Sequence, residues 1–417
     1  MTERRVGYRW TICALLFAAT TLNYVDRQVL GVLGPTLQRE LHWNESQYGD
    51  IVSWFSLPYA FAFAFVGRWL DRVGVRRGLG TAVVAWSLAA IAHAFARTTA
   101  GFSMARAALG LTESANFPGS IKTIAEWFPR KERALATGLF NAGTNMGAIV
   151  APIMVPWIAL TWGWRWAFVA TGALGFGWAI VWFAVYRDPD VHSHVTVTEL
   201  EIIGADRTER DTASVPWLSL LRRRQTWAFI VGKLMADPVW WFYLYWFPKF
   251  LDSRYGVKLS QVMWPLIAVY LVADIGSIGG GWFSSAMIKR GYSVNRARKT
   301  AMLTMAVLIV PTALAPRAAN MWVAVALVAV AAAAHQGWSA NVYTLASDMF
   351  PTSAVASVIG IGGFVSGLGA WGFQRLTGRI LQANGSNYLP IFMVCGFAYV
   401  VAWGLIHLLS PRMERVG

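Results

Sequence analysis

Apolar runs of helical length, separated by short polar breaks, recur along this chain from end to end and leave it few folds to choose from. They fall at 10–33, 47–68, 78–97, 101–123, 134–160 and 165–186, then at 225–251, 261–285, 297–316, 320–346, 353–377 and 388–410. About twenty apolar residues in a helix cross the hydrocarbon core of a bilayer. A helix also satisfies its own backbone hydrogen bonds where no water can. The pattern predicts an all-α polytopic membrane protein of twelve transmembrane helices in two six-helix bundles. The bundles occupy 1–186 and 225–417, joined by a hydrophilic linker at 187–224. Only 14% of the 417 residues are charged, against about 25% in a soluble domain.

The net charge of +15 does not point to nucleic acid, because the basic residues form no stripe or tail and lie between apolar runs. They crowd one set of loops: Arg4, Arg5 and Arg9; Arg68, Arg72, Arg76 and Arg77; Lys122, Arg130, Lys131 and Arg133; Arg187, Arg207, Arg210 and Arg222 to Arg224 in the linker; Lys289, Arg290, Arg296, Arg298, Lys299, Arg412 and Arg415. The opposite loops are sparser. Positive loops stay on the cytoplasmic side, so both termini and the linker are expected there, in a multi-pass protein of the cell inner membrane. The first run has no small-residue cleavage site and reads as a membrane helix, not a signal peptide. Cys13 and Cys395 sit inside apolar runs as small hydrophobes. No metal and no cofactor are expected.

Against this background the ionisable residues within the runs stand out. Asp26 and Arg27 lie mid-span, where each costs roughly 2.5–3.5 kcal/mol unless it faces a cavity or finds a partner. Arg106 and Glu113, seven apart, share one helix face. A guanidinium cannot shed its charge, and it can hold a carboxylate through two parallel hydrogen bonds. Arg106 is therefore the first choice for binding an organic anion; a permanent pair with Glu113 or Asp26 is the alternative. A buried carboxylate beside an arginine is balanced between its ionised and protonated forms, which suits Glu113 and Asp26 to proton exchange. Arg27, pointing about 100° away from Asp26, takes charge balance, gating or a share of the anion.

Neutral hydrogen-bonding groups surround these charges in the pattern. Tyr24, Tyr59, Asn141, Thr144 and Asn145 suit a polyhydroxylated ligand, or serve as interhelical packing. In the second half Lys233 and Asp237 are four apart, either an internal salt bridge or a ligand contact. Trp240, Trp241, Tyr243 and Tyr245 follow them, with faces suited to ring carbons. Asp274, His335, Gln336 and Asn341 also interrupt apolar runs, and a membrane histidine is more often an interhelical partner than a ligand. The glycines from Gly360 to Gly372 lie in an apolar span and form no phosphate loop.

The stretch Gly67-Arg68-Trp69-Leu70-Asp71-Arg72-Val73-Gly74-Val75-Arg76-Arg77 resembles the G-x-x-x-D-R-x-G-x-[RK]-[RK] loop of the major facilitator superfamily. The resemblance implies a gating latch at Asp71 and Arg72. Within that superfamily the chain looks like the anion:cation symporter group, on Tyr24-Val25-Asp26-Arg27, Arg106 to Ala115, Glu126-Trp127-Phe128-Pro129 and Phe140 to Gly147. Asp237 to Trp241, Ala273 to Gly276, His335-Gln336 and Leu345 to Phe350 look most like hexuronate transporters. The resemblance implies a proton-coupled symporter that imports a sugar acid by alternating access around a midplane site. A hexuronate such as glucuronate or galacturonate is the expected substrate, and an aldonate such as galactonate the alternative. It also implies that the acids matching Asp26 and Glu113 are proton sites. The expected partners are the organic anion, protons and the lipid bilayer, and the expected state is a monomer. A polytopic membrane enzyme is the competing class, but it would gather its charges near one lipid interface beside large loops. A channel would need no proton coupling.

Overall fold

The computed structural model describes residues 7–204 and 217–414, and every regular element among them is helical. Arg4, Arg5, Arg207, Arg210 and Arg415 of the charge asymmetry lie outside the described residues. In chain order the helices are α1 (Tyr8–Glu40), α2 (Glu45–Val73), α3 (Val75–Phe95), α4 (Thr99–Glu113), α5 (Asn116–Trp127), α6 (Arg130–Trp162), α7 (Trp164–Val185) and α8 (Val197–Gly204). They continue with α9 (Trp217–Leu221), α10 (Arg224–Tyr255), α11 (Met263–Lys289), α12 (Val294–Ile309), α13 (Met321–Met349), α14 (Thr352–Ala383) and α15 (Leu389–Leu409). Among the described residues 8 helices are long and apolar enough to cross a membrane: α2, α3, α6, α7, α11, α12 with its continuation, α13 and α15. The candidate charges Asp26, Arg27, Arg106, Glu113 and Lys233 sit on α1, α4 and α10, outside that set.

Two runs are less regular than expected, both for the same reason. The run 101–123 is two helices that break at Ser114 and Ala115. Pro118 has no N–H for the Ser114 carbonyl four residues back, and its ring crowds that oxygen. Helix α4 therefore ends on Glu113. The run 297–316 begins as α12 and tightens to a 3₁₀ helix over Val310–Arg317, which contains Pro311 and Pro316.

The chain forms two compact units, Met1–Val29 with Phe61–Asp211, and Leu30–Ala60 with Thr212–Gly417. Helices α1 and α2 thus each contribute to both. In the first unit α3 packs on α7, α4 and α5. Helix α6 crosses α1 through Gly143 and Gly147: a Cβ there would fall 2.5 Å from the carbonyl oxygens of Phe17 and Thr21 respectively. Small residues four apart let two membrane helices approach this closely. The linker begins docked to this unit. Glu199 of α8 accepts from the backbone N–H groups of Tyr8 and Arg9 at 3.1 and 3.0 Å. First-turn N–H groups have no intrahelical partner and carry partial positive charge, and the buried carboxylate satisfies both. Arg9 extends the cluster to Glu132 of α6 at 2.7 Å.

In the second unit α11 and α13 meet through glycine. A Cβ on Gly276 would lie 2.1 Å from the Ala333 carbonyl oxygen, and one on Gly280 would lie 2.2 Å from the Gly337 Cα. Helix α10 packs on α14 and α15. The segment 30–60 joins this unit through close packing, where a Cβ on Gly31 would lie 2.6 Å from the Leu244 carbonyl oxygen and one on Gly49 2.8 Å from that of Gln374. It also joins through polar contacts: Lys249 to Glu45 at 2.5 Å, Arg39 to Asp252 at 2.8 Å and Arg375 to Asp50 at 2.7 Å. The Tyr48 hydroxyl donates to the Tyr245 carbonyl at 2.7 Å.

The α11–α13 contact makes a sharp prediction, because a Cβ on Gly279, one residue before Gly280, meets nothing within 4 Å. Gly280→Leu is expected to destabilise the protein by the ~1–3 kcal/mol typical of overpacking, while Gly279→Leu leaves the thermal unfolding midpoint in detergent unchanged or higher. Equal midpoints for the two variants would remove this contact from the account of stability.

Candidate functional site

Four charges gather in the first unit, two from α1 and two from α4, and all are buried: Asp26, Arg27, Arg106 and Glu113. Their formal charges cancel. Helical geometry separates the two adjacent residues of α1. Arg27 turns with Asn23, one turn earlier, toward α4. Its Nε and one terminal nitrogen both donate to the same oxygen of Glu113, Oε2, at 3.0 and 2.8 Å. The terminal nitrogen also donates to Asn23 Oδ1 at 3.2 Å. The Tyr24 ring covers the guanidinium, 4.7 Å from ring centroid to carbon. The second Glu113 oxygen, Oε1, accepts no hydrogen bond among the described residues.

Asp26 takes the other direction. Thr171 of α7 lies beside it, but that hydroxyl meets the Phe168 carbonyl at 3.4 Å. Neither Asp26 oxygen has a well-formed hydrogen bond among the described residues. Glu113 lies within its electrostatic reach. Arg106 is fully buried and donates to the backbone carbonyl of Arg27 at 3.4 Å, with its charge also acting on Glu113. The direct pair is thus Arg27–Glu113, across two helices, with Arg106 on the Arg27 backbone beside it.

The α1–α6 glycine crossing positions the neutral groups. Gly147 packs against Tyr24 Cβ, so Thr144 and Asn145 lie in the same stretch of α6, where the Thr144 hydroxyl donates to Asn145 Oδ1 at 3.3 Å. Asn141 is exposed and Tyr24 half-buried. At the end of α2, Asp71 pairs with Lys122 of α5, and Arg72 is exposed.

The second unit holds its own polar cluster. Lys233 pairs with Asp237 at 2.8 Å and donates to the Tyr343 hydroxyl at 3.0 Å. His335 stacks on Trp240, and its Nδ1 lies 2.6 Å from the Tyr399 hydroxyl. Asn341 is fully buried and gives its amide hydrogens to the Gly280 and Gly337 carbonyls at 3.1 and 2.9 Å, fastening α13 to α11. Gln336 is half-buried. Trp241 packs against Phe55 and Tyr59. Sequence reasoning did not single out Asn23 as an Arg27 partner, nor the buried bond from Asn116 to the Thr20 hydroxyl at 3.2 Å. Their spacing was the available signal: Asn23 precedes Arg27 by four, and Thr20 lies a further turn back.

A family model described as Major Facilitator Superfamily matches residues 16–373. The chain is 32% identical over 394 residues to the hexuronate transporter of Escherichia coli K12, covering 93% of this chain and 90% of that one. It is 32% identical over 293 residues to the galacturonate transporter of Dickeya chrysanthemi, covering 69% and 85%. To a D-galactonate transporter of Escherichia coli O6:H1 it is 26% identical over 422 residues, covering 98% and 97%. In structure it is similar to a D-xylose-proton symporter, with a TM-score of 0.77 at 15% identity, covering 98% and 100% of the two chains. A bacterial homologue of the lysosomal transporter Spinster also gives 0.77, at 19% identity and 97% of each chain. The match to the family model spans most of the chain, and the fold agrees from end to end. The chain belongs to the Major Facilitator Superfamily and is a multi-pass membrane transporter, not an enzyme.

Proposed function

We propose that this transporter imports a sugar acid together with protons, and that substrate and Glu113 compete for Arg27. The carrying observation is that both Arg27 donors rest on a single Glu113 oxygen inside a buried cluster of zero formal charge. An anion entering such a cluster alone leaves an uncompensated charge in a low-dielectric site, which is costly. An anion entering with a proton does not. Protonation of Glu113 releases the Arg27 guanidinium, whose planar fork then takes the substrate carboxylate. Return of the proton to solvent restores the Arg27–Glu113 pair and expels the anion. Asp26, with both oxygens available beside Glu113, is the second proton carrier. Arg106 holds the α1 backbone at Arg27 and keeps the cluster neutral, acting behind Arg27 and not as the first anion ligand.

A hexuronate is the substrate this reading favours, supported by the similarity to the hexuronate and galacturonate transporters. Tyr24, Asn141, Thr144 and Asn145 are the hydroxyl-binding groups of the first unit; Lys233, Trp241 and Gln336 are those of the second. The similarity to a D-galactonate transporter, which extends over nearly the whole chain, makes an aldonate the second reading. The protein works as a monomer in the inner membrane, crosses it twelve times with both termini cytoplasmic, and uses Asp71 and Arg72 in gating.

Three outcomes test this reading. In proteoliposomes, Glu113→Gln is expected to keep substrate exchange but lose accumulation driven by a proton gradient and the rise of uptake toward acidic external pH. Full concentrative uptake by that variant would place the proton elsewhere. Arg27→Ala should weaken substrate binding by roughly 10- to 100-fold, the worth of a charge-assisted hydrogen bond, with Arg27→Lys intermediate; unchanged affinity by calorimetry overturns the competition model. Removing the carboxylate with Glu113→Ala strands Arg27 and should cost ~3–5 kcal/mol of stability, and a milder loss is expected for Glu113→Gln, both read from thermal unfolding.

A further inference from the structure

An apolar cavity of about 600 Å³ opens on the first unit between α2, α3 and the end of α4. Phe61, Phe65 and Trp69 line it along one edge of α2; Ala82 and Ala85 form the α3 wall; Leu111 closes it from α4. Phe65 is 63% exposed and Leu111 55%. An exposed apolar surface of this kind on a membrane protein is suited to hydrocarbon chains.

The wall also contains three hydroxyls, and none is offered to an occupant. Thr81 donates to the Arg77 carbonyl, Thr112 to that of Ala108 and Ser114 to that of Leu111, at 2.7, 2.8 and 2.7 Å. With its polar groups spent on its own helices, the cavity presents hydrocarbon to whatever enters.

Its charge lies at one end. Phe61 to the end of α2 at Val73 is twelve residues, about 18 Å of helix. Trp69 sits one turn from that end, where aromatic side chains mark the membrane–water interface. Exposed Arg72 follows Trp69 by three residues on the same edge of α2. Exposed Arg77 precedes Thr81 by four on the edge of α3 that lines the cavity; residues three and four apart share a helix face. Asp71 of the same loop is paired with Lys122, so it does not cancel the two arginines.

We propose that this cavity binds an anionic phospholipid, with one acyl chain along α2 and the headgroup phosphate against Arg72 and Arg77. The proposal requires only that the chain is embedded in a membrane and is independent of the substrate reading.

Native mass spectrometry of the detergent-purified full chain, titrated with phosphatidylglycerol and with phosphatidylcholine of the same acyl chains, tests it. The wild type should retain phosphatidylglycerol over phosphatidylcholine. Arg77→Gln should lower phosphatidylglycerol retention about five-fold, the worth of one basic residue near an anionic surface, and phosphatidylcholine retention by less. Ala85→Trp fills the cavity and should lower retention of both lipids; Ala85→Leu gives the same reading if the tryptophan variant is unstable. Equal retention of the two lipids by the wild type, or undiminished retention by the filled variants, overturns the proposal.

Discussion

A guanidinium in the middle of a membrane helix has to be neutralised where it stands, and Arg27 meets that demand through Glu113. The arginine cannot lose its proton, and hydrocarbon offers no water, so its partner must come from another helix. That requirement fixes how α1 faces α4. It also explains the surrounding arrangement: Asn23 accepts from the same terminal nitrogen that reaches Glu113, Tyr24 covers the guanidinium face, and Arg106 grips the α1 backbone at the same residue. The glycine crossing of α6 then brings α1 close enough to enclose the group.

The break between α4 and α5 belongs to the same account. Pro118 prevents the helix from continuing through Ser114, and α4 ends with Glu113 in its last position. The Ser114 hydroxyl turns back to the Leu111 carbonyl, one of the oxygens that a helix end leaves without an N–H partner.

Most of the helical architecture was legible because long apolar runs between polar breaks mark helices, although among the described residues only 8 helices are long and apolar enough to cross a membrane by composition. Most helix ends shifted by five residues or fewer, but α1 reaches Glu40 and α14 Ala383, well beyond the expected 33 and 377. The α4–α5 break was also written in the chain, in Pro118, but an apolar run conceals a proline that removes only one hydrogen bond. The members of the charged cluster were legible for a different reason, since ionisable residues are expensive in hydrocarbon and therefore conspicuous. What stayed hidden was their pairing. Arg106 and Glu113 share a helix face by count, yet Glu113 reaches across to Arg27 of α1, a pairing between helices that spacing along one helix does not reveal. Asn341 shows the opposite limit: its amide looks like a ligand group in sequence, and only the close approach of α11 brings the Gly280 carbonyl to it, beside the Gly337 carbonyl of its own helix.

The contacts within the second unit are of two physical kinds. Helices α11 and α13 touch backbone to backbone, with no room for a single added carbon, and separating them would expose a dry, tightly packed seam. The segment 30–60 is held to α10 and α14 both by close glycine packing at Gly31, Gly49 and Gly378 and by ion pairs, some of whose side chains reach solvent: Arg39 is 61% exposed and Asp50 39%. Solvated ion pairs contribute only ~0–1 kcal/mol each, because water replaces each lost partner at little cost. Lys249 and Glu45 are more deeply placed, at 4% and 15%, and give that set its firmest point. A transporter needs seams that stay closed through every cycle and seams that release. Packed glycine suits the first and hydrated charge the second, and the segment 30–60 carries both. The solvated pairs Arg39–Asp252 and Arg375–Asp50 are therefore the attachments of this segment that water can replace at little cost, while its contacts at Gly31, Gly49 and Gly378 cannot be exchanged that way.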